Sequence, residues 1–180
     1  GTIKFGTDGW RGIIGEDFTL ENIKFLTEGL SNHIKNQPKE TLKDFKVTIG
    51  YDTRFLSNES ALLISRILAE NSIKVDLSSS PVPTPVVSYT TSKNNSDYGI
   101  IVTASHNPGI WNGIKIKDSN GKSISEIEAN LIEVEISNLK SNKKIDNYID
   151  FEKAEERGLI TKISPLKDYI KNLTKLVDVE

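Results

Sequence analysis

Apolar residues recur at steps of three and four positions in four stretches of the chain, a pattern that predicts helices with one buried face. The first helix begins after Thr19, whose hydroxyl can cap a helix amino terminus, and ends in the polar stretch 36–44, which contains Pro38. A fifth, short helix is predicted from Thr84 and Pro85, because proline is well tolerated in a first helical turn. The apolar faces comprise Leu20, Ile23, Leu26, Leu30 and Ile34; Ala61, Ile64, Ile67 and Leu68; Ile127, Leu131 and Val134; and Leu166, Tyr169, Ile170, Leu173 and Leu176.

Short runs of alternating or continuous apolar residues lie between these helices and predict β-strands. The pattern alternates at 46–52 and 73–77, whereas the run YGIIVTAS at 98–105 is nearly continuous, as in a strand buried on both faces. Residues 113–124 predict a further strand that leads into an Asn120-Gly121 turn. The alternation of strands and helices predicts an α/β fold with three layers, in which helices cover both faces of a mixed, largely parallel sheet.

Changes in this pattern along the chain also suggest how the chain is divided into a domain, a linker and a connector helix. The opening is glycine-rich and predicts a strand at Ile3 and Phe5, followed by a loop from Gly6 to Gly15. The chain begins at Gly1 and contains no methionine, so we expect it to be part of a longer protein. The predicted parts are a domain at 1–140, a polar linker at 141–163 and, at 164–180, a connector helix leading toward a second domain that this chain lacks.

The amino-acid composition limits the kinds of partner and chemistry that the protein can have. The 180 residues carry a formal net charge of −2, which does not favour nucleic acid or an anionic membrane surface as a partner. No apolar run approaches the ~20 residues that a membrane span needs. There are no cysteines, which excludes disulfides and thiolate chemistry, and a reducing cytoplasm is the expected location.

The stretch VTASHNPGIWNGIKIK, residues 102–117, places Ser105 in a loop shaped by glycine and proline. One interpretation is a turn, because Asn, Pro and Gly have backbone reasons to occur there. A hydrolase nucleophile is disfavoured, because His106 is adjacent in sequence and the Gly-x-Ser-x-Gly elbow is absent. A third interpretation is a phosphate carrier, because the serine is surrounded by polar groups and Lys115 follows on the next strand. These polar groups are Thr103, His106, Asn107 and Asn112.

Four motifs in this order resemble those of the α-D-phosphohexomutases, the family of phosphoglucomutase and phosphomannomutase. They are KFGTDGWRG at 4–12, GYDTR at 50–54, PVPTP at 81–85 and TASHNPGIWNGIKIK at 103–117. The resemblance covers residues 2–138, essentially the first of four family domains. One departure is Gly109, where many relatives have a second proline, which affects the stiffness of the loop more than its chemistry.

The resemblance implies an isomerase that acts as an intramolecular phosphotransferase. Phosphorylated Ser105 would give its phosphoryl group to a hexose 1- or 6-phosphate, and a hexose 1,6-bisphosphate would be the intermediate and activator. A Mg²⁺ ion bound through the Ser105 phosphate would neutralise charge during the transfer. Arg11 and Lys115 would bind phosphate and act in catalysis, His106 would take part in catalysis, and Asn107 would shape the phosphate-binding loop.

Three further residues are candidates for supporting roles. Asp52 and Arg54 can pair with each other and brace the loop after their strand, rather than act in catalysis directly. Thr103 is expected to hold Ser105 in position rather than to act in catalysis directly.

The family's aspartate-rich metal loop and its sugar-discriminating loop have no counterpart here. We therefore expect the remaining domains of the same chain to be partners of this one, the isolated chain to be inactive, and the identity of the hexose to be undetermined. The alternative is a non-catalytic phosphosugar-binding or regulatory domain with the same fold.

Overall fold

The computed structural model describes residues 3–6, 9–38, 44–139 and 146–177. The helices are α1 (Leu20–Lys35), α2 (Ser57–Glu70), α3 (Thr84–Lys93), α4 (Glu126–Leu139), α5 (Phe151–Glu156) and α6 (Pro165–Val177). The strands are β1 (Trp10–Ile13), β2 (Lys46–Tyr51), β3 (Lys74–Ser78), β4 (Tyr98–Val102), β5 (Trp111–Lys117) and β6 (Ile160–Ile163). Within these ranges, no helix is both long enough and apolar enough to span a membrane.

The strands form one sheet in the order β1-β5-β4-β2-β3-β6. Strands β4, β2, β3 and β6 are mutually parallel, whereas β5 is antiparallel to both of its neighbours. The sheet is thus mixed and largely parallel, as predicted. Because β2, β3 and β4 are parallel, the loops that leave their carboxyl ends meet at one edge of the sheet, where α/β proteins bind ligands.

Helices cover both faces of the sheet. Helix α2 packs on β2, β3 and β4, with α1 beside it and α4 beside α1, whereas α3 packs on β2 and β4 and α6 packs on α3. Neighbouring residues of β4 show the two faces: Ile100 belongs to the main core, and Ile101 packs with Val86 and Val87 of α3. The predicted three-layer α/β/α architecture is therefore confirmed.

The predicted start of α1 has the expected cap, whereas α3 begins at Thr84 with Pro83 before it and no side-chain cap. Thr19 accepts a hydrogen bond from the backbone N–H of Asn22 at 3.1 Å, and α1 ends at Lys35 before the polar stretch. The spacing in α1 is correct for Ile23, Leu26, Leu30 and Ile34, which are fully buried, but not for Leu20, which is exposed in the first turn of the helix.

The opening segment differs from the prediction of a glycine-rich loop from Gly6 to Gly15. Residues Trp10–Ile13 form an edge strand of the sheet, antiparallel to β5. The glycines permit this pairing rather than prevent it: a Cβ on Gly9 would lie 2.3 Å from the carbonyl oxygen of Ile114. This strand brings Arg11 toward the loop that carries Ser105.

The predicted polar linker at 141–163 is not a linker in its second half. Residues Phe151–Glu156 form α5, and Ile160–Ile163 form β6, which pairs in parallel with β3. Composition misled the prediction, because β6 is an edge strand in which only Ile160 is buried and Thr161 and Lys162 are exposed. Residues 140–145 lie outside the described part of the chain.

Candidate functional site

Ser105 lies in a tight turn just beyond the carboxyl end of β4. The backbone N–H of Asn107 donates to the carbonyl of Ala104 at 3.1 Å and closes the turn. Ser105 has a φ of 55°, in the left-handed region that costs a non-glycine residue free energy. The turn lifts the serine away from the sheet, so that its side chain is only partly buried.

Lys115 is the cation nearest to the serine hydroxyl. It lies on β5, which runs back antiparallel to β4 and places Lys115 opposite Ile101. Its Nζ atom donates a hydrogen bond to Ser105 Oγ at 2.6 Å. The half-buried ammonium therefore sits where a phosphoryl group on Ser105 would bring negative charge.

Arg11 approaches the same loop from β1. Its backbone pairs with Gly113, and one guanidinium nitrogen donates to Asn107 Oδ1 at 2.9 Å. Gly113 is needed for this approach, because a Cβ there would lie 2.3 Å from the carbonyl oxygen of Trp10. Arg11 is exposed, so its other donors face solvent beside the turn. The structure thus brings together Arg11, Asn107, Ser105 and Lys115, as predicted from the sequence.

The side chain of Arg54 holds the Ser105 loop by binding carbonyl groups of the loop backbone. Its guanidinium donates to the carbonyls of Ser105 at 2.8 Å, Asn107 at 2.5 Å, Pro108 at 2.9 Å and Trp111 at 2.9 Å. It also lies 3.5 Å from the carboxylate of Asp52. The planar, multi-donor guanidinium suits this task, which a lysine could not perform with a single nitrogen.

Asp52 and Thr103 connect the loop after β2 with the backbone of Ser105. Thr103 Oγ1 donates to Asp52 Oδ2 at 2.6 Å and accepts from the backbone N–H of Ser105 at 3.0 Å. The other Asp52 oxygen accepts from the backbone N–H of Arg54 at 2.9 Å. Asp52, Arg54 and Thr103 therefore have contacts consistent with the predicted supporting roles.

His106 is the predicted site residue that this cluster does not include. It follows Ser105 in the turn and is exposed, and within the described part of the chain its ring has no hydrogen-bond partner. A Ser–His–acid triad is therefore not formed, because the hydroxyl of Ser105 is engaged by Lys115 instead.

An open cavity of about 510 Å³ adjoins the cluster at the carboxyl ends of β2 and β3. Asp52 and Arg54 form one wall, and Ser79, Ser80 and Pro81 line the opposite side. The cavity and the exposed turn face the same edge of the sheet, at which parallel α/β folds bind ligands.

Comparison with known proteins identifies the fold and its motifs. The sequence model described as phosphoglucomutase/phosphomannomutase, alpha/beta/alpha domain I, matches residues 2–143. The chain belongs to this phosphohexomutase family. The matched range contains all four sequence motifs, and the resemblance seen in the sequence is thereby confirmed.

Curated relatives carry several mutase names. The chain is 39% identical over 129 residues to a probable phosphoglucosamine mutase from Methanosphaera stadtmanae, covering 72% of this chain and 27% of that protein. It is 32% identical over 181 residues to a phosphoglucomutase from Staphylococcus aureus strain MRSA252, covering 97% of this chain and 31% of that protein. The chain thus spans about a third of the length of the relatives that it matches.

Solved structures agree with this assignment. A putative phosphomannomutase from Thermus thermophilus superposes with a TM-score of 0.70 at 37% identity, over 76% of this chain and 30% of that one. The open form of the phosphoglucomutase pp63/parafusin from Paramecium has a TM-score of 0.73 over 96% of this chain and 34% of that one; its 23% identity supports the fold alone.

The described residues do not form a metal centre by themselves. Among them, no three His, Asp or Glu side chains are grouped so that they could hold a metal ion. Asp52 is the carboxylate that contacts the Ser105 loop, but both of its oxygens already accept hydrogen bonds from Thr103, Ser57 and the backbone of Arg54. The side chains present therefore do not fit Mg²⁺ without ligands from elsewhere.

Two buried residues beside this site received no specific role from the sequence: Asn112 was counted only among the polar groups around Ser105, and Ser57 was not named. Asn112 is fully buried and donates to Ser57 Oγ at 2.9 Å, and Ser57 in turn donates to Asp52 at 2.6 Å. One indication of Asn112 was present in the sequence, because asparagine is uncommon in strands and has no apolar side chain to bury there. Ser57 gave no indication, because serine is common at the first position of a helix.

Proposed function

We propose that Ser105 carries the phosphoryl group that a phosphohexomutase exchanges with hexose phosphates. The hydrogen bond of 2.6 Å from Lys115 Nζ to Ser105 Oγ is the observation on which this depends. A serine in a bend at the carboxyl edge of the sheet, facing an ammonium group and with Arg11 nearby, is suited to holding a dianionic phosphate.

In the proposed reaction, a hydroxyl oxygen of a hexose phosphate attacks the phosphorus of phosphoserine 105. The new oxygen–phosphorus bond forms as the bond between phosphorus and Ser105 Oγ breaks, and a hexose 1,6-bisphosphate results. Oγ takes up a proton from the Lys115 ammonium, with which it is hydrogen bonded. We assign removal of the proton from the sugar hydroxyl to His106, the exposed neighbour of the serine.

The reverse transfer restores the phosphoserine from the other phosphate of the intermediate. Ser105 Oγ bonds to that phosphorus and gives its proton back to Lys115, the bond from the phosphorus to the sugar oxygen breaks, and the sugar oxygen takes the proton that His106 holds. Arg11 stabilises the charge that spreads over the transferring oxygens. Asn107 accepts a hydrogen bond from Arg11 and so fixes the position of the guanidinium group beside the loop.

A Mg²⁺ ion is part of this proposal only as a partner of the phosphate. One phosphoserine oxygen would be the contribution of these residues, and carboxylates from outside the described residues would complete the coordination. Bound there, the ion would neutralise charge on the transferring group.

The substrate class is a hexose 1- or 6-phosphate. The relatives are named for glucose, glucosamine and mannose phosphates. Ser105, Lys115 and Arg11 handle only the phosphate in this proposal, so the site supports the class without selecting the sugar. We place the protein in the cytoplasm, as is consistent with a chain that lacks cysteine.

The 180-residue chain is expected to be nearly inactive on its own. His106, Pro108, Gly109 and Ile110 are exposed, so the turn is open to water. Phosphoryl transfer between bound partners requires water to be excluded and the sugar to be held for both half-reactions. Interconversion of glucose 1-phosphate by this chain at the rate of a complete mutase would contradict this part of the proposal.

The proposal is tested with the complete product of the gene. The protein is incubated with glucose 1,6-bisphosphate, and intact-mass and peptide spectra are recorded for wild type and Ser105→Ala. We expect one phosphoryl group, located on Ser105 and absent from the variant. Sugar-phosphate binding without any phosphoserine would favour a non-catalytic binding domain instead.

A further inference from the structure

Two non-glycine residues with strained backbones lie on adjoining loops of the site. Ser105 has a φ of 55°, and Leu56, at the junction with α2, has a φ of 66°. Left-handed conformations of this kind cost free energy at non-glycine residues and persist only where their surroundings enforce them. The hydrogen bonds around both residues should therefore include the groups that enforce them.

A single buried side chain holds both flanks of Leu56. The amide nitrogen of Asn112 donates to the carbonyl of Phe55 at 3.0 Å and to the hydroxyl of Ser57 at 2.9 Å. The amide oxygen of Asn112 accepts from the backbone N–H of Gly113 at 2.8 Å. Asn112 is fully buried, and its hydrogen bonds with Ser57 and Gly113 are made away from competing water, whereas the bond to the Phe55 carbonyl is partly buried.

The same hydrogen-bonded chain continues to the reactive serine. Ser57 Oγ donates to Asp52 Oδ1 at 2.6 Å, and Asp52 Oδ2 accepts from Thr103 at 2.6 Å. Thr103 Oγ1 then accepts from the backbone N–H of Ser105 at 3.0 Å. An unbroken series of polar contacts thus leads from a buried side chain on β5 to the backbone of Ser105.

We infer that Asn112 and Ser57 are positioning residues for phosphoryl transfer: through Asp52 and Thr103 they fix the backbone orientation of Ser105. Neither residue contacts Ser105 Oγ, so neither is assigned a chemical step. They affect the direction in which Ser105 Oγ points. The rate of an in-line phosphoryl transfer is sensitive to that direction. Because this role presupposes that Ser105 carries the phosphate, it rests on the proposed function.

Ser57→Ala is the decisive variant, because it deletes one hydroxyl and leaves Asn112 in place. Ser65→Ala is its matched control: Ser65 lies on the same helix, is fully buried, and donates to the carbonyl of Ala61 at 2.7 Å. Ser57→Ala removes the hydrogen bonds to Asp52 and from Asn112, whereas Ser65→Ala removes one buried hydrogen bond, so urea unfolding of both variants is measured to separate a general loss of stability. Asn112→Ala is a second test of the same series, used where it folds.

The first measurement is NMR of the Ser105 backbone amide in the 180-residue chain, which requires no activity. We expect Ser57→Ala to shift the Ser105 amide resonance and to speed its hydrogen exchange about tenfold, whereas Ser65→Ala changes neither. A Ser105 amide that behaves identically in the two variants would overturn the inference.

The second measurement is steady-state kinetics of the complete gene product with glucose 1-phosphate. We expect Ser57→Ala to lower kcat about tenfold with KM nearly unchanged, and Ser65→Ala to leave both within about twofold of wild type. Equal kcat in the two variants would also overturn the inference. If wild type takes up no phosphate on Ser105, the proposed function fails, and the amide measurement still decides whether Ser57 orients Ser105.

Discussion

At the scale of single residues, the account depends on the conformation of Ser105 and on its distance from Lys115. The serine has a positive φ of 55° and its hydroxyl accepts from the lysine at 2.6 Å. The backbone conformation is strained, whereas the cation is the group to which we assign proton transfer. Substitutions can separate these two contributions.

Ser105→Gly and Ser105→Ala should both abolish phosphoryl uptake but should differ in stability. Glycine adopts the left-handed conformation without a Cβ penalty, so the glycine variant should be more stable than the alanine variant by about 1 kcal/mol. Urea unfolding of the 180-residue chain measures this difference. A more stable alanine variant would mean that the turn is not strained at this residue.

Lys115→Met should slow phosphoryl transfer in the complete gene product by about 10²- to 10⁴-fold, the range expected for loss of a proton donor. The matched control is Lys117→Met, two residues further along β5, where the lysine donates to Ser123 Oγ at 3.2 Å instead. Rapid-quench measurement of phosphoserine turnover distinguishes the two. Equal rates for both variants would remove Lys115 from the mechanism.

The sequence predicted which residues meet at the site but not how they are held. Ser105, Lys115, Arg11 and Asn107 were all named from their motifs. The four carbonyls that Arg54 collects were not predictable, because backbone acceptors have no sequence pattern. Their arrangement depends on the conformation of the folded loop.

At the scale of elements, α4 shows where periodicity fails. The predicted apolar face, Ile127, Leu131 and Val134, is exposed, and the buried face consists of Ala129, Ile132 and Ile136. Both sets have helical spacing, so the pattern alone could not choose between them. Gly29 of α1 favours the observed face of α4, because glycine has no side chain and lets the two helices approach closely. A Cβ at Gly29 would lie 2.5 Å from the side chain of Ile136.

A buried polar cluster joins α4 to α1 and β4. Glu128 contacts His33 Nε2 at 3.0 Å and accepts from the hydroxyl of Tyr98. The hydrogen bond with His33 is the main cause that holds the pKa of Glu128 below its ordinary value, and Tyr98 lowers it further, while burial acts in the opposite direction. Burial and the hydrogen bond to Glu128 raise the pKa of Tyr98.

This cluster predicts a pH-dependent contribution to stability. Because the pKa of Glu128 is lower in the folded state, its contribution is complete above the ordinary glutamate pKa of 4.5 and is lost as pH falls through the folded-state pKa. The stability difference between wild type and Glu128→Gln should therefore shrink from about pH 7 toward about pH 3 in urea titrations. Glu126→Gln, exposed on the same helix, is the control, and a pH-independent difference for Glu128→Gln would contradict the assignment.

At the scale of the whole molecule, α6 presents an apolar surface to solvent. Tyr169 packs edge-on against Tyr89 of α3, with ring centroids 5.4 Å apart, and this contact holds the helix on the domain. Pro165 is buried, whereas the remaining apolar side chains of α6 are exposed, namely Leu166, Ile170, Leu173, Leu176 and Val177. The sequence predicted a connector helix leading toward another domain, and exposed apolar side chains are what such a helix is expected to show when that domain is not there to cover it.

The 180-residue chain should therefore self-associate as its concentration rises, because a contiguous apolar stripe of this kind is rarely left open on a monomer. Replacing Ile170 and Leu173 by lysine should move sedimentation-velocity profiles toward the monomer. Leu20→Lys, at an exposed leucine on another helix, should not. An unmodified chain that stays monomeric at high concentration would refute this expectation.

The central claim is that the hydroxyl of Ser105 carries the phosphoryl group, and the most direct test is the interconversion of hexose phosphates by the complete gene product. We predict that Ser105→Ala lowers kcat by at least about a thousandfold while the variant stays folded, because the hydroxyl to which we assign the covalent phosphate is removed. Undiminished interconversion by Ser105→Ala would contradict the account.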